Sequence, residues 1–186
     1  MAAHTMAAAV MPRAALPADA PAIAHVYVES WRTTYRGRLP DAYLDTMDVG
    51  DYTERWALTL SDPKRRSIVL VAEEDDRVVG FASCGRDRDA DTRHQGELYA
   101  IYLLREAQGR GHGRALIERS AAALAERSIT SMVVWVLRDN APARGFYERM
   151  GGVRLRERPL DLGAGIGAIE VAYLWTDLRA GLIPDR

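Results

Sequence analysis

Leu98-Tyr-Ala-Ile-Tyr-Leu-Leu-Arg-Glu-Ala-Gln-Gly-Arg-Gly-His-Gly-Arg-Ala-Leu-Ile-Glu-Arg119 is the stretch that decides the fold. An apolar, β-prone run ends near Leu104, and three glycines then alternate with Arg110 and His112 before a helical pattern begins. Glycine lets a backbone approach a ligand closely. A helix that starts there offers unpaired N–H groups and the positive end of its dipole. Together these make a socket for a phosphate or pyrophosphate, with Arg110 and Arg114 as additional positive charge.

Spacing narrows the ligand. A dinucleotide fingerprint needs Gly-x-Gly-x-x-Gly, and the third position falls on Arg114 or Leu116 in the two possible registers. A P-loop needs Lys-Ser/Thr after its last glycine, where this chain has Arg114-Ala115. What fits is Gln/Arg-x-x-Gly-x-Gly/Ala, read as Gln108, Gly111 and Gly113. Here the chain resembles the GNAT superfamily of N-acetyltransferases. A ligand-free strand–helix turn is the alternative for the glycines taken alone.

A second motif follows roughly 30 residues later, Val133-Val-Trp-Val-Leu-Arg-Asp-Asn-Ala-Pro-Ala-Arg-Gly-Phe-Tyr-Glu-Arg-Met-Gly-Gly152. A β-rich run ends at Arg138-Asp139-Asn140, Asp139 or Asn140 is a natural N-cap, and Pro142 is tolerated in a first helical turn. The helix is predicted to end near Met150, with Gly151 as its stop. This resembles the GNAT signature Asn-x-x-Ala-x-x-Phe-Tyr-x-x-x-Gly, with Asn140, Ala143, Phe146, Tyr147 and Gly151 in register. Two motifs in the right order are far more specific than either alone.

Composition agrees with a soluble globular protein. The chain has 186 residues, 48% hydrophobic and 27% charged, long enough to bury a core and expected to form one domain over 1–186. A net charge of −1 gives no reason to expect nucleic acid. No run approaches the ~18 apolar residues of a membrane span. The first residues lack the basic start of a secretory signal, so the cytoplasm is expected. The single cysteine, Cys84, excludes an internal disulfide, and the four histidines show no metal-ligand spacing. No metal is expected.

Periodicity orders the elements. A short strand is predicted near Ala8–Ala14, then a helix from Pro17 through Trp31 to about Tyr35, and two more from Pro40-Asp41 and over Asp51–Leu60. Strands are predicted over Ser67–Glu74 and Val78–Gly85 around a Glu74-Asp-Asp-Arg77 turn, and over Glu97–Leu104. A helix over Gly113–Arg127, a strand over Ser131–Arg138, and a helix over Asn140–Met150 follow. Val153–Arg158 and Ala168–Thr176 complete the set around Gly163-Ala-Gly-Ile-Gly167, which reads as a hairpin loop because no helix follows it.

This is the GNAT order across essentially the whole chain. The resemblance implies an α/β (α+β) fold: a mixed central sheet of about seven strands, flanked by about four helices and splayed between two parallel central strands. It implies that the arm of acetyl-CoA enters the splay. Backbone groups of Ile101 and Leu103, with Tyr102 between, would pair with that arm. Gln108, Gly109, Arg110, Gly111, His112, Gly113 and Arg114 would hold the pyrophosphate, and Asn140 and Phe146 would line the cofactor. Acetyl-CoA is then the acyl donor, with no metal.

Attack of an amine on a thioester needs loss of an amine proton, a donor for the oxyanion and an acid for the leaving thiolate. Tyr147 matches the family tyrosine and is the candidate acid; the alternative is simple aromatic packing with Phe146. Glu97 begins the cofactor strand, where many relatives place a base. A solvated strand-end glutamate is an equal alternative, and Tyr99 is placed to relay a proton. Cys84 has no base beside it in sequence, so direct transfer in a ternary complex is favoured over an acyl-cysteine.

The acceptor walls are expected from Glu29–Asp45, which resembles a Trp-Arg-x-x-Tyr-Arg-Gly run in one bacterial branch of the family. Trp31 and Tyr35 share a helix face and are candidates for an amine pocket, or for helix-on-sheet packing. Asp41, Asp45, Asp48 and Asp51 fit a solvated face better than an amine-steering cluster. The partner expected is a small-molecule or peptide amine; a homodimer is left open. A non-catalytic acyl-CoA-binding sensor is the competing function. The family's common proline before the glycine loop is absent from Leu104-Arg-Glu-Ala, which puts the loop path in doubt.

Overall fold

The chain is described by a computed structural model over residues 11–89, 94–161 and 167–182. Seven strands form one sheet: β1 (Arg13–Ala14), β2 (Ile68–Glu74), β3 (Arg77–Arg86), β4 (Gly96–Leu103), β5 (Met132–Leu137), β6 (Val153–Asp161) and β7 (Gly167–Trp175). Their spatial order is β1-β2-β3-β4-β5-β7-β6. Five α-helices flank it: α1 (Ala20–Tyr35), α2 (Asp41–Asp45), α3 (Val49–Ser61), α4 (His112–Glu126) and α5 (Ala141–Arg149). The predicted first strand is reduced to Arg13–Ala14 within the described residues, and its earlier part lies outside them. Most of the Gly163–Gly167 cluster also lies outside; on either side of it Asp161 pairs with Gly167.

Local chemistry explains the elements. Asp75 and Asp76 take φ of 50° and 60°, a left-handed pair that closes the β2–β3 hairpin with the twist its strands need. Asn140 caps α5, its side chain accepting from the Ala143 N–H at 3.3 Å. Asp48 caps α3 through the Asp51 N–H. Helix α4 turns Leu116, Ile117, Ala121 and Leu124 onto the sheet, where they meet Leu98, Met132 and Val134 in the larger core. Each fully buried Leu or Ile is worth about 1.5–3 kcal/mol. Helices α1 and α3 cover the other face, packing Ile23, Val26 and Leu60 on Val69, Val71 and Phe81.

Two irregularities shape the centre. Strands β4 and β5 are parallel and pair only at Gly96, Glu97 and Leu98 against Met132, Val133 and Val134, then separate. Strand β4 also bulges at Tyr99, because Ser83 pairs with Ala100 while Cys84 pairs with Leu98. The expected splay is therefore present.

Candidate active site

The splay opens into a cavity of about 1110 Å³, walled by α1, β4, β5, α5, β7 and the loop before α4. Along β4, the Leu104 N–H donates to the Val79 carbonyl at 2.9 Å. Ladder groups alternate sides in an antiparallel pair, so the backbone of Leu103 and Ile101 turns to the opposite edge, into the splay. The Leu103 carbonyl accepts there from Ser30 Oγ at 3.1 Å and Gln108 Nε2 at 3.5 Å.

Beyond β4 the chain makes one 3-10 turn, Arg105–Ala107, and enters the glycines. Leu104 has φ −56° and ψ 145°, a conformation a proline would share, so the loop does not need the proline to find its path. Gly109 and Gly111 have φ of 74° and 93°, in the left-handed region open to glycine, and Gly111 is the residue before α4. A Cβ on Gly113 would sit 3.3 Å from Leu103 Cδ1 and 3.5 Å from Phe146, so this glycine lets α4 start close to the splay. Gln108, Gly109, Gly111, Gly113 and Arg114 line the cavity. The side chains of Arg110 and His112 take a different course. Arg110 pairs with Glu74 at 2.5 Å, and the buried His112 lies 3.6 Å from the same carboxylate. Their side chains tie the loop to the end of β2, a role for Glu74 that no motif signalled.

Tyr147 lies on α5, buried, at the cavity wall among Phe146, Tyr173 and Trp175, with ring centroids 5.4 to 6.2 Å away. Burial pushes its phenol further above the ordinary tyrosine value. Tyr35 and Tyr102 are shifted the same way by burial, and Asn140 and Tyr102 interact with the Tyr35 hydroxyl. Trp31 and Tyr35 both line the cavity, edge to face at 4.9 Å.

Glu97 is 3% exposed, so the solvated strand-end alternative is not what the chain builds. Arg88 binds it three times: through its backbone N–H at 3.1 Å, Nε at 3.0 Å and Nη2 at 2.5 Å. The Arg88 guanidinium lies over the Tyr99 ring, 4.5 Å from its centre. The Tyr99 hydroxyl donates to the Arg86 carbonyl at 2.5 Å, which commits the phenol expected to relay a proton.

A similar unit stands on the β5–β7 side. Glu170 on β7 is buried and accepts from Arg158 Nε at 2.5 Å. Arg158 lies 3.7 Å over the Trp135 ring and also pairs with Asp89. All four line the cavity, and motif reading did not find them. One signal was available: Glu170 is the lone charge in the apolar strand Gly167-Ala-Ile-Glu-Val-Ala-Tyr-Leu-Trp175. The acidic cluster, by contrast, sits on the surface, with Arg36 pairing Asp41 and Asp45. Cys84 is fully buried, does not line the cavity, and its thiol is pushed up to about 11 by burial. No metal-binding cluster is found among the described residues, and no described helix is long and apolar enough to cross a membrane.

Comparison with known proteins adds four findings. A model of the GNAT acetyltransferase family matches residues 23–152. The uncharacterised N-acetyltransferase YuaI of Bacillus subtilis strain 168 is 37% identical over 158 residues, 85% of this chain and 88% of YuaI. Among solved structures, the PaiA N-acetyltransferase of Thermoplasma acidophilum, in complex with coenzyme A, superposes with a TM-score of 0.67 at 20% identity, covering 88% of this chain and 98% of PaiA. The acetyltransferase YncA of Salmonella typhimurium, solved with acetyl-CoA, gives 0.65 at 23% identity, covering 96% and 99%.

Proposed function

This chain belongs to the GNAT acetyltransferase family, and on that premise we propose that it is a single-domain N-acetyltransferase moving the acetyl group of acetyl-CoA to a primary amine by direct attack in a ternary complex. The observation that carries this is the conjunction of an unpaired β4 edge, a glycine loop at the start of α4 and a buried tyrosine on one cavity. The PaiA and YncA structures hold coenzyme A and acetyl-CoA, which supports acetyl-CoA as the donor here.

The backbone of Ile101 and Leu103 receives the pantetheine arm along the free strand edge, with Tyr102 between them. The N–H groups of the 108–114 loop and the first turn of α4 receive the pyrophosphate, since a helix N-terminus stabilises an anion. Gln108 and Arg114 add side-chain contacts from the cavity wall, and Asn140 and Phe146 close it on the α5 side.

The amine nitrogen bonds to the thioester carbon, the C–S bond breaks, and the sulfur leaves as a thiolate that takes up a proton from solvent. The amine, with an ordinary pKa of about 10, attacks as its free base, and the proton it loses to Glu97 is the one made acidic by formation of the C–N bond. A free thiol titrates near 8.5, well below the buried Tyr147 phenol. Complete proton transfer from Tyr147 is thus uphill, and Tyr147 acts by donating a hydrogen bond to sulfur as charge develops in the transition state. Cys84, buried and away from the cavity, offers little thiolate for a ping-pong route. Release of free thiol from acetyl-CoA in the presence of amines tests the assignment. Binding of acetyl-CoA without turnover on any amine would favour a sensor.

A further inference from the structure

We propose that the acceptor is a zwitterion, an α-amino acid or a close analogue, whose carboxylate docks on Arg88 and whose amine faces Glu97. This rests on the acetyl-transfer assignment above and names its substrate class.

The charge lining the cavity does not suit a polycation. Among the described residues, Arg38, Arg88, Arg105, Arg114, Arg149 and Arg158 line it against Asp89, Glu97 and Glu170. A polyamine or other polycation would meet more guanidiniums than carboxylates, and like charges repel. Its recognition calls for an excess of carboxylates, and the four aspartates that might have supplied one lie elsewhere, outside the cavity lining. A molecule carrying one positive and one negative group meets no such penalty.

The geometry of the Arg88–Glu97 pair fits such a molecule. Arg88 spends its Nε hydrogen and one Nη2 hydrogen on Glu97, while Nη1 has no partner among the described residues. Its side chain is 63% exposed, and the Tyr99 ring beneath it keeps the guanidinium flat. The outer Nη1–Nη2 edge is therefore a free planar fork on a residue that lines the cavity, the geometry that binds a carboxylate through two parallel bonds. Beside it, Glu97 Oε1 accepts one hydrogen bond, from Arg88 Nη2, which leaves a lone pair for an incoming amine. In an α-amino acid the amine and carboxylate are one carbon apart, so a single molecule can span these adjacent positions. Trp31, Tyr35 and Trp135 supply aromatic walls for the substituent. The reaction is the one given above: the amino nitrogen takes the acetyl group, coenzyme A leaves as a thiolate protonated by solvent, and the amine proton goes to Glu97.

The test measures initial rates of thiol release from acetyl-CoA with a panel of L-amino acids, their carboxamides, and linear polyamines, using the full chain. The expected result is turnover of at least one amino acid with kcat/KM roughly 10- to 100-fold above its amide. In Arg88→Gln that ratio should collapse towards one, mainly through KM of the free acid. Equal or faster turnover of amides or polyamines overturns the zwitterion and leaves acetyl transfer standing. An Arg88→Gln enzyme that keeps the full ratio overturns the assignment of Arg88. Thiol release with no member of the panel also overturns the proposal. Calorimetry with acetyl-CoA then separates the cases, because loss of cofactor binding as well removes the underlying assignment.

Discussion

Arg88 grips both carboxylate oxygens of Glu97, at 2.5 and 3.0 Å, and so turns a strand-end glutamate into a buried, oriented group on the cavity wall. Truncating Arg88 leaves the Glu97 carboxylate buried without its partner, whereas Arg88 itself is largely exposed. Glu97→Gln should lower kcat by about 100-fold or more, the scale of a lost general base. Acetyl-CoA affinity should change little. Steady-state kinetics beside calorimetric cofactor binding checks this, and an unchanged kcat would remove Glu97 from the proton path.

Tyr147→Phe removes a hydroxyl and keeps the ring that packs on Phe146, Tyr173 and Trp175. The fold and cofactor binding should survive, while kcat falls by roughly 10- to 1000-fold as one transition-state donor is lost. Because burial raises the phenol's pKa above 10, the donor stays protonated across the neutral range. No loss of rate should set in from Tyr147 between pH 6 and about 9. A basic limb in kcat within that window that vanishes in Tyr147→Phe would contradict this.

Gly111 holds φ 93° at the entry to α4 with open space where a Cβ would point, so conformation and not crowding demands glycine there. Gly111→Ala should cost about 1–2 kcal/mol if the backbone holds its left-handed shape. If the loop relaxes instead, the cost appears as a raised KM for acetyl-CoA. Thermal melts with and without acetyl-CoA distinguish the two, and a variant normal in both would show that the loop is not under this constraint.

Asp19 tests the fold away from the site. Its carboxylate pairs with Arg13 at 2.7 Å and accepts from the Leu16 N–H at 2.7 Å, tying β1 to the start of α1. The Arg13 hydrogen bonds hold its pKa below the ordinary value. The folded carboxylate therefore binds its proton less readily than the unfolded one. Its contribution is complete above the ordinary value near 4 and is lost as pH falls below that. Asp19→Asn should destabilise by about 1 kcal/mol at neutral pH and flatten the fall in stability below pH 4. Chemical denaturation across pH 3 to 7 reads both.

Cys84→Ala should leave turnover essentially unchanged, because the thiol sits in the core near the Ser120 carbonyl and not on the cavity. Loss of kcat with no loss of stability would reopen an acyl-cysteine route.

Most of the architecture was legible because it rests on local rules. Glycines at 109, 111 and 113, the Asn140 cap and alternation in β2 and β3 each specify their own few residues. The bulge at Tyr99 was not, since it depends on how Ser83 and Cys84 register against β4. Nor was the Arg88–Glu97 pair, whose members sit on opposite sides of a loop, or the Asp89–Arg158–Glu170 chain, which joins the loop after β3 to a cross-strand pair of β6 and β7. Such long-range ion pairs leave no periodic trace. Arg110 and His112 show the converse: residues inside a motif whose side chains answer a distant partner, Glu74.

The most direct measurement of the central claim is release of coenzyme A thiol from acetyl-CoA by the full chain, with mass detection of the acceptor product. Acetyl transfer predicts an amine product heavier by one acetyl group, formed mole for mole with thiol and abolished or sharply reduced in Tyr147→Phe. Thiol release without an acetylated amine, or tight acetyl-CoA binding with no turnover on any amine, would contradict it.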